Sequence, residues 1–82
     1  MYRILTERKN LSLIKGALSG LGLDFTIYVT AGSWKGHHES SVTIELDNVT
    51  RKAARSAARM IKRMNKQDKV LLQEIPVRSQ LI

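Results

Sequence analysis

The residues best equipped for chemistry lie in one segment, Gly32-Ser33-Trp34-Lys35-Gly36-His37-His38-Glu39-Ser40-Ser41. Trp34, the only tryptophan of the chain, offers a π face that can stack on a base or fill a groove between subunits. Lys35 can meet a phosphate. Gly32 and Gly36 allow sharp backbone turns or the close approach of a ligand. Glu39 and Ser40 can reach a hydroxyl, an amino group or a neighbouring subunit. Trp34, Lys35, Gly36, His37, Glu39 and Ser41 therefore form the candidate ligand-binding set. The plainer alternative is that Trp34 packs back onto its own core and the segment only turns the chain.

Catalytic and metal chemistry find little support. His37 and His38 are adjacent, and neighbouring side chains of an extended strand point to opposite faces, so they would not chelate one ion together. The chain has no cysteine, which removes thiolate metal sites, disulfides and cysteine nucleophiles. No phosphate-binding glycine loop, nucleophile elbow or zinc-protease motif occurs. No metal and no cofactor are expected.

A second concentration of chemistry is electrostatic. Lys52, Arg55, Arg59, Lys62 and Lys66 recur every three or four residues and fall on one helical stripe. Opposite them run Ala54, Ala57, Ala58, Ile61 and Met64. A helix packed on one side must be polar on the other, so a solvated face is the ordinary explanation. No acidic residue occurs between Asp47 and Asp68, however, and a merely soluble face usually mixes both signs in supporting pairs. A phosphate-binding surface is the functional alternative.

The elements that must carry these residues follow from periodicity. Tyr2 to Glu7 reads as a strand. Asn10 is placed to cap a helix bearing Leu11, Ile14, Leu18 and Leu21 at helical spacing. Gly20 and Gly22 suit its exit. Asp24 to Thr30 alternates, with Phe25, Ile27 and Val29 on one side. Ala31 to His38 is polar and reads as a loop or hairpin tip. Ser41 to Asp47 alternates again, with Val42, Ile44 and Leu46 inward. Asp47, Asn48 or Thr50 can cap a second helix from Arg51 to about Asn65. Lys69 to Ile75 is a last strand, ended by Pro76. The order βαββαβ is ferredoxin-like and α+β, and predicts a four-stranded antiparallel sheet with both helices on one face. The open face would then show Thr26, Tyr28, Thr43 and Glu45 with Leu5 and Leu71.

With 82 residues and no linker, residues 1–82 are expected to form one domain. The tail 77–82 either frays or adds an edge strand to a neighbouring subunit. A core this small is marginal, which favours self-association. No apolar run approaches the length of a membrane span and no signal-peptide core opens the chain, so a cytoplasmic protein is expected. The formal charge of +7 attracts phosphates in nucleic acid, nucleotides or lipid headgroups. An RNA-recognition sheet would want aromatic residues on its third strand, and Ser41 to Asp47 has none.

Across Ile4-Leu5-Thr6-Glu7-Arg8-Lys9-Asn10, Phe25-Thr26-Ile27, Gly32-x-Trp34-Lys35-Gly36-x-x-Glu39-x-Ser41-x-x-Ile44-Glu45 and Asn65-x-Gln67-x-x-Val70-Leu71, the chain resembles small bacteriophage proteins of ferredoxin-like, PII-like fold. The resemblance implies a homotrimer with small-molecule pockets between subunits, near the connection of the second and third strands, in a bacterial host cytoplasm. It implies two uses. One is non-enzymatic binding of an adenosine- or phosphate-containing nucleotide, as in anti-defence sponges. The other is S-adenosylmethionine lyase chemistry, in which Glu39 would take the place of the interface glutamate. The tyrosine of that site is replaced by Trp34, which lacks a hydroxyl and argues against the lyase. Nucleic-acid binding through the second helix, and a protein partner anchored by Trp34, stay open beside these.

Overall fold

The computed structural model describes the backbone of residues 1–34, 37–76, 78 and 80–82, and the side chains of these residues outside 30–40. Its elements are β1 (Tyr2–Glu7), α1 (Leu11–Gly20), β2 (Asp24–Trp34), β3 (His37–Asp47), α2 (Arg51–Met64) and β4 (Leu71–Glu74). The strands form one antiparallel sheet in the order β2-β3-β1-β4. This is the α+β, ferredoxin-like arrangement that the element order predicts.

Strand alternation sorts the sheet into two faces. Ile27, Ile44, Ile4 and Leu72 lie in one register row across all four strands. Phe25, Leu46 and Tyr2 make the next row on the same face. Against these rows pack Ile14 and Leu18 of α1 and Ala54, Ala57, Ala58 and Ile61 of α2. Alanines along α2 let the helix approach the sheet closely, so even this short chain completely buries Ile4, Ile44, Leu46 and Ile61. Burial of each such side chain contributes about 1.5–3 kcal/mol.

Helix ends follow capping chemistry, with two departures. Thr50 accepts the amide hydrogen bond of Ala53 at 3.0 Å and caps α2. Asn10 occupies the cap position of α1 but with φ of 59°, and its side chain makes no cap bond. The α1 exit is a Schellman turn, in which Leu23 donates to the Leu18 carbonyl at 3.1 Å and Gly22 to the Ser19 carbonyl at 2.9 Å. Gly22, at φ of 70°, supplies its left-handed residue. Gly20 is simply the last residue of the helix.

Three expectations are corrected. The segment from Ala31 to His38 is not all loop, because pairing of β2 with β3 continues to Trp34↔His37. Val29 keeps the core-side row of the buried Val42 and Thr6 but is itself exposed rather than buried, because it lies on β2, an outer strand of the sheet. The last strand is shorter than Lys69 to Ile75 and spans Leu71–Glu74.

Candidate functional site

The basic residues of α2 are positioned by the alanine stripe that anchors the helix. Ala54, Ala57, Ala58 and Ile61 are buried, which turns Lys52, Arg55, Arg59 and Lys62 to solvent. Lys66 departs from the expected stripe. The helix ends at Met64, and Lys66 sits beyond it at φ of 51°. There it serves as the left-handed residue of a second Schellman turn, in which Gln67 donates to the Lys62 carbonyl at 3.0 Å and Lys66 to the Arg63 carbonyl at 3.2 Å.

That turn brings Lys69 beside α2. Arg55, Arg59, Lys62 and Lys69 rim a groove of about 220 Å³ whose apolar floor is Ala58, Val70 and Leu72. A second shallow concavity is lined by Arg51, Lys52, Arg55 and Arg59. A third joins Arg51 and Arg55 to Tyr2, Leu72 and Glu74. Arg55 lines all three, so they form one continuous basic surface along the helix and β4. Lys52 to Lys62 spans about 15 Å of helix axis at 1.5 Å per residue.

Only one cation of this surface is neutralised within the described residues. Arg51 Nη2 meets Glu74 Oε2 at 2.9 Å, and the Tyr2 hydroxyl donates to Glu74 Oε1 at 3.3 Å. The Glu74 carboxylate, helped by Tyr2, raises the Arg51 guanidinium above its already high ordinary range. Lys52, Arg55, Arg59, Lys62 and Lys69 form no ion pair with a described residue.

This charge pattern works against the helix that carries it. Arg55 and Arg59 are like charges at i,i+4, a spacing that costs a few tenths of a kcal/mol. Arg51 and Lys52 occupy the first turn, which holds no acidic residue, where the helix dipole disfavours cations. Helix stability alone would place glutamate there. The surface is suited to gather phosphate or carboxylate oxygens by charge and hydrogen bonding.

The candidate set around Trp34 lies on the β2-β3 ribbon. Trp34 pairs in register with His37, Gly32 with Glu39, and Thr30 with Ser41. Strand alternation gives Trp34, His37, Glu39 and Ser41 register positions in line with Tyr28, Thr43 and Glu45 of the open face. Lys35 and Gly36 lie outside the described residues. On the open face, Tyr28, Thr43, Leu5 and Leu71 form one row, and Tyr28 and Leu71 are about half exposed. Beside this row Arg3 Nε donates to Glu45 Oε1 at 3.0 Å.

Sequence reasoning did not find the groove as a unit. Lys69 belongs to no periodic stripe, and the apolar floor comes from an edge strand. Among the described residues no helix is long and apolar enough to cross a membrane. Comparison with protein-family models, curated proteins and solved structures returns no match.

Proposed function

We propose that this chain is a non-enzymatic nucleic-acid-binding module that grips a phosphate backbone with α2. The observation that carries this reading is the continuous basic surface of Lys52, Arg55, Arg59, Lys62 and Lys69, none of which forms an ion pair with a described residue. Its concavities are shallow and confluent, which favours a polymer with repeating phosphates over one enclosed nucleotide. Phosphate contacts of this kind position a nucleic acid without reading its sequence. Affinity for a fluorescein-labelled single-stranded oligonucleotide, measured by anisotropy across a salt series, tests the reading. Tight binding that weakens steeply with salt supports it. Absence of binding at low salt removes it.

A second reading is an oligomeric binder of a small nucleotide-type ligand, a nucleotide sponge in the phage resemblance. It is favoured by the extension of the β2-β3 ladder to Trp34↔His37. That ladder aligns Trp34, His37, Glu39 and Ser41 with the half-exposed Tyr28 row. Trp34 would stack on a base, Lys35 would hold phosphate, and Glu39 would accept from a sugar hydroxyl or amino group. Native mass spectrometry of protein purified from cells tests it. A trimer carrying a nucleotide at fixed ratio supports this reading over the first, and an empty monomer opposes it.

A further inference from the structure

The groove beside α2 has a property that phosphate binding does not use. Its other wall is β4, an outer strand of the sheet, whose pairing with the N-terminus sets its hydrogen-bonding phase. Met1 and Ile75 exchange two backbone hydrogen bonds, Ile75 N to Met1 O at 2.8 Å and Met1 N to Ile75 O at 3.2 Å. In an antiparallel ladder such pairs alternate with pairs that turn their backbone groups away from each other. Arg3↔Gln73 and Leu5↔Leu71 therefore point inward, while Leu72 and Glu74, opposite Ile4 and Tyr2, direct their N–H and C=O groups to the free edge. Among the described residues no strand pairs with that edge.

We propose that the β4 edge and the basic flank of α2 together form a docking site for an extended acidic peptide segment of a partner protein. The peptide would add a fifth strand, bonding to the backbone of Leu72 and Glu74. Its alternate side chains would fall into the groove, where the methylenes of glutamate lie on Ala58, Val70 and Leu72 and the carboxylates meet Arg55, Arg59, Lys62 and Lys69. The intervening side chains would stand on the open face beside Leu71, extending the row of Leu5, Thr43 and Tyr28, and are best apolar. Two observations select a peptide. Edge backbone donors and acceptors at strand spacing, with no partner strand among the described residues, match another polypeptide backbone, which a nucleic acid lacks, and the cations, which pair with no described residue, match acidic side chains. A one-residue slip would put the apolar side chains against the cations, so charge fixes the register. This site goes beyond the nucleic-acid reading and does not depend on it. The two ligands share Arg55, Arg59, Lys62 and Lys69, so they exclude each other.

The test uses the full chain, labelled with nitrogen-15, and a blocked peptide of alternating glutamate and valine about eight residues long. A second peptide of the same sequence is N-methylated at alternate residues, which removes its edge donors and keeps its charge. The site predicts that the first peptide slows hydrogen exchange at the Leu72 and Glu74 amides by about tenfold or more and displaces a labelled oligonucleotide. The N-methylated peptide should do neither. The double variant Arg59→Glu, Lys62→Glu, both at exposed helix positions, should lose the protection. Equal binding of the two peptides, or binding that leaves Leu72 and Glu74 exchanging freely, would overturn the proposal and leave charge alone as the attraction. Failure of the first peptide to bind while the oligonucleotide binds would overturn it too, and would leave the nucleic-acid reading standing.

Discussion

Asn10 and Asn65 join the start of α1 to the end of α2: Asn10 Nδ2 donates to Asn65 Oδ1 at 3.1 Å and to the Met64 carbonyl at 3.1 Å. Asn65 is completely buried, and its Nδ2 donates to Thr6 Oγ1 at 3.2 Å and Gln67 Oε1 at 3.3 Å. Thr6 Oγ1 also donates to Gln67 Oε1. The buried polar atoms of the cluster are satisfied, since no described buried side-chain nitrogen or oxygen lacks a partner. The cluster ties β1, both helices and the turn to β4 at one end of the molecule. It thereby fixes where Lys69 and β4 lie relative to α2.

Asn65→Ala removes three hydrogen-bonding relationships and leaves Thr6 and Asn10 short of partners. Buried unsatisfied groups cost about 1–3 kcal/mol each, so a loss of about 2–4 kcal/mol is expected from urea denaturation. A midpoint unchanged from the parent would show that the cluster does not hold this end together.

Lys66 adopts a left-handed conformation, with φ of 51°, that a side-chain-bearing residue reaches at a cost of about 1 kcal/mol. Lys66→Gly relieves that cost at the Schellman position. A thermal midpoint higher by about 4–8 °C is expected per kcal/mol recovered in a domain of this size. A lower midpoint would mean that the lysine side chain makes a compensating contact.

Gly22 is the mirror case, at φ of 70° with open space where a Cβ would stand. Gly22→Ala should destabilise by about 1 kcal/mol through backbone conformation alone. Thr50→Ala, which deletes the cap bond to Ala53, should cost a similar amount, about 1 kcal/mol. Both are read from chemical denaturation with an unchanged m-value.

Glu74→Gln frees Arg51 from its exposed ion pair. Stability should change by less than about 1 kcal/mol, as exposed pairs contribute little. Oligonucleotide affinity should rise, because one more cation of the α2 surface becomes available. A weaker complex would place Glu74 among the groups that contact the ligand.

Tyr28→Lys with Leu71→Glu breaks the half-exposed open-face row without touching the helices. If the row is a subunit contact, the native mass falls to that of the monomer while the far-ultraviolet circular dichroism is kept. An assembly that survives both substitutions would move the contact elsewhere.

Much of the fold was legible because its signals are local. Alternation of Val42, Ile44 and Leu46, helical spacing of Ala54, Ala57, Ala58 and Ile61, and Thr50 before Arg51 each announce an element within a few residues. The length of the β2-β3 ribbon is not legible locally, because Ser33, His37 and His38 have loop or hairpin-tip composition, whereas the ladder there rests on cross-strand pairing. Asn10 has the residue type of a cap, but its side chain is taken by Asn65, 55 positions away. The charges of α2 were visible at three- and four-residue spacing. Lys66 continues that spacing although the helix ends at Met64, because a lysine gives no sign that the helix has stopped. The groove needed Lys69, Val70 and Leu72, and no periodicity links these to Arg55. Only the returning turn at Lys66 brings them together.

The most direct test of the central claim is the salt dependence of oligonucleotide binding for the parent chain and for Arg55→Glu, Arg59→Glu. About four phosphate contacts by Arg55, Arg59, Lys62 and Lys69 predict a slope near −3 in log K against log salt for a single strand, falling by about 0.7 for each contact removed. Loss of affinity and a shallower slope in the double variant is the predicted result. Parent and variant that bind equally well, with affinity indifferent to salt, would contradict it.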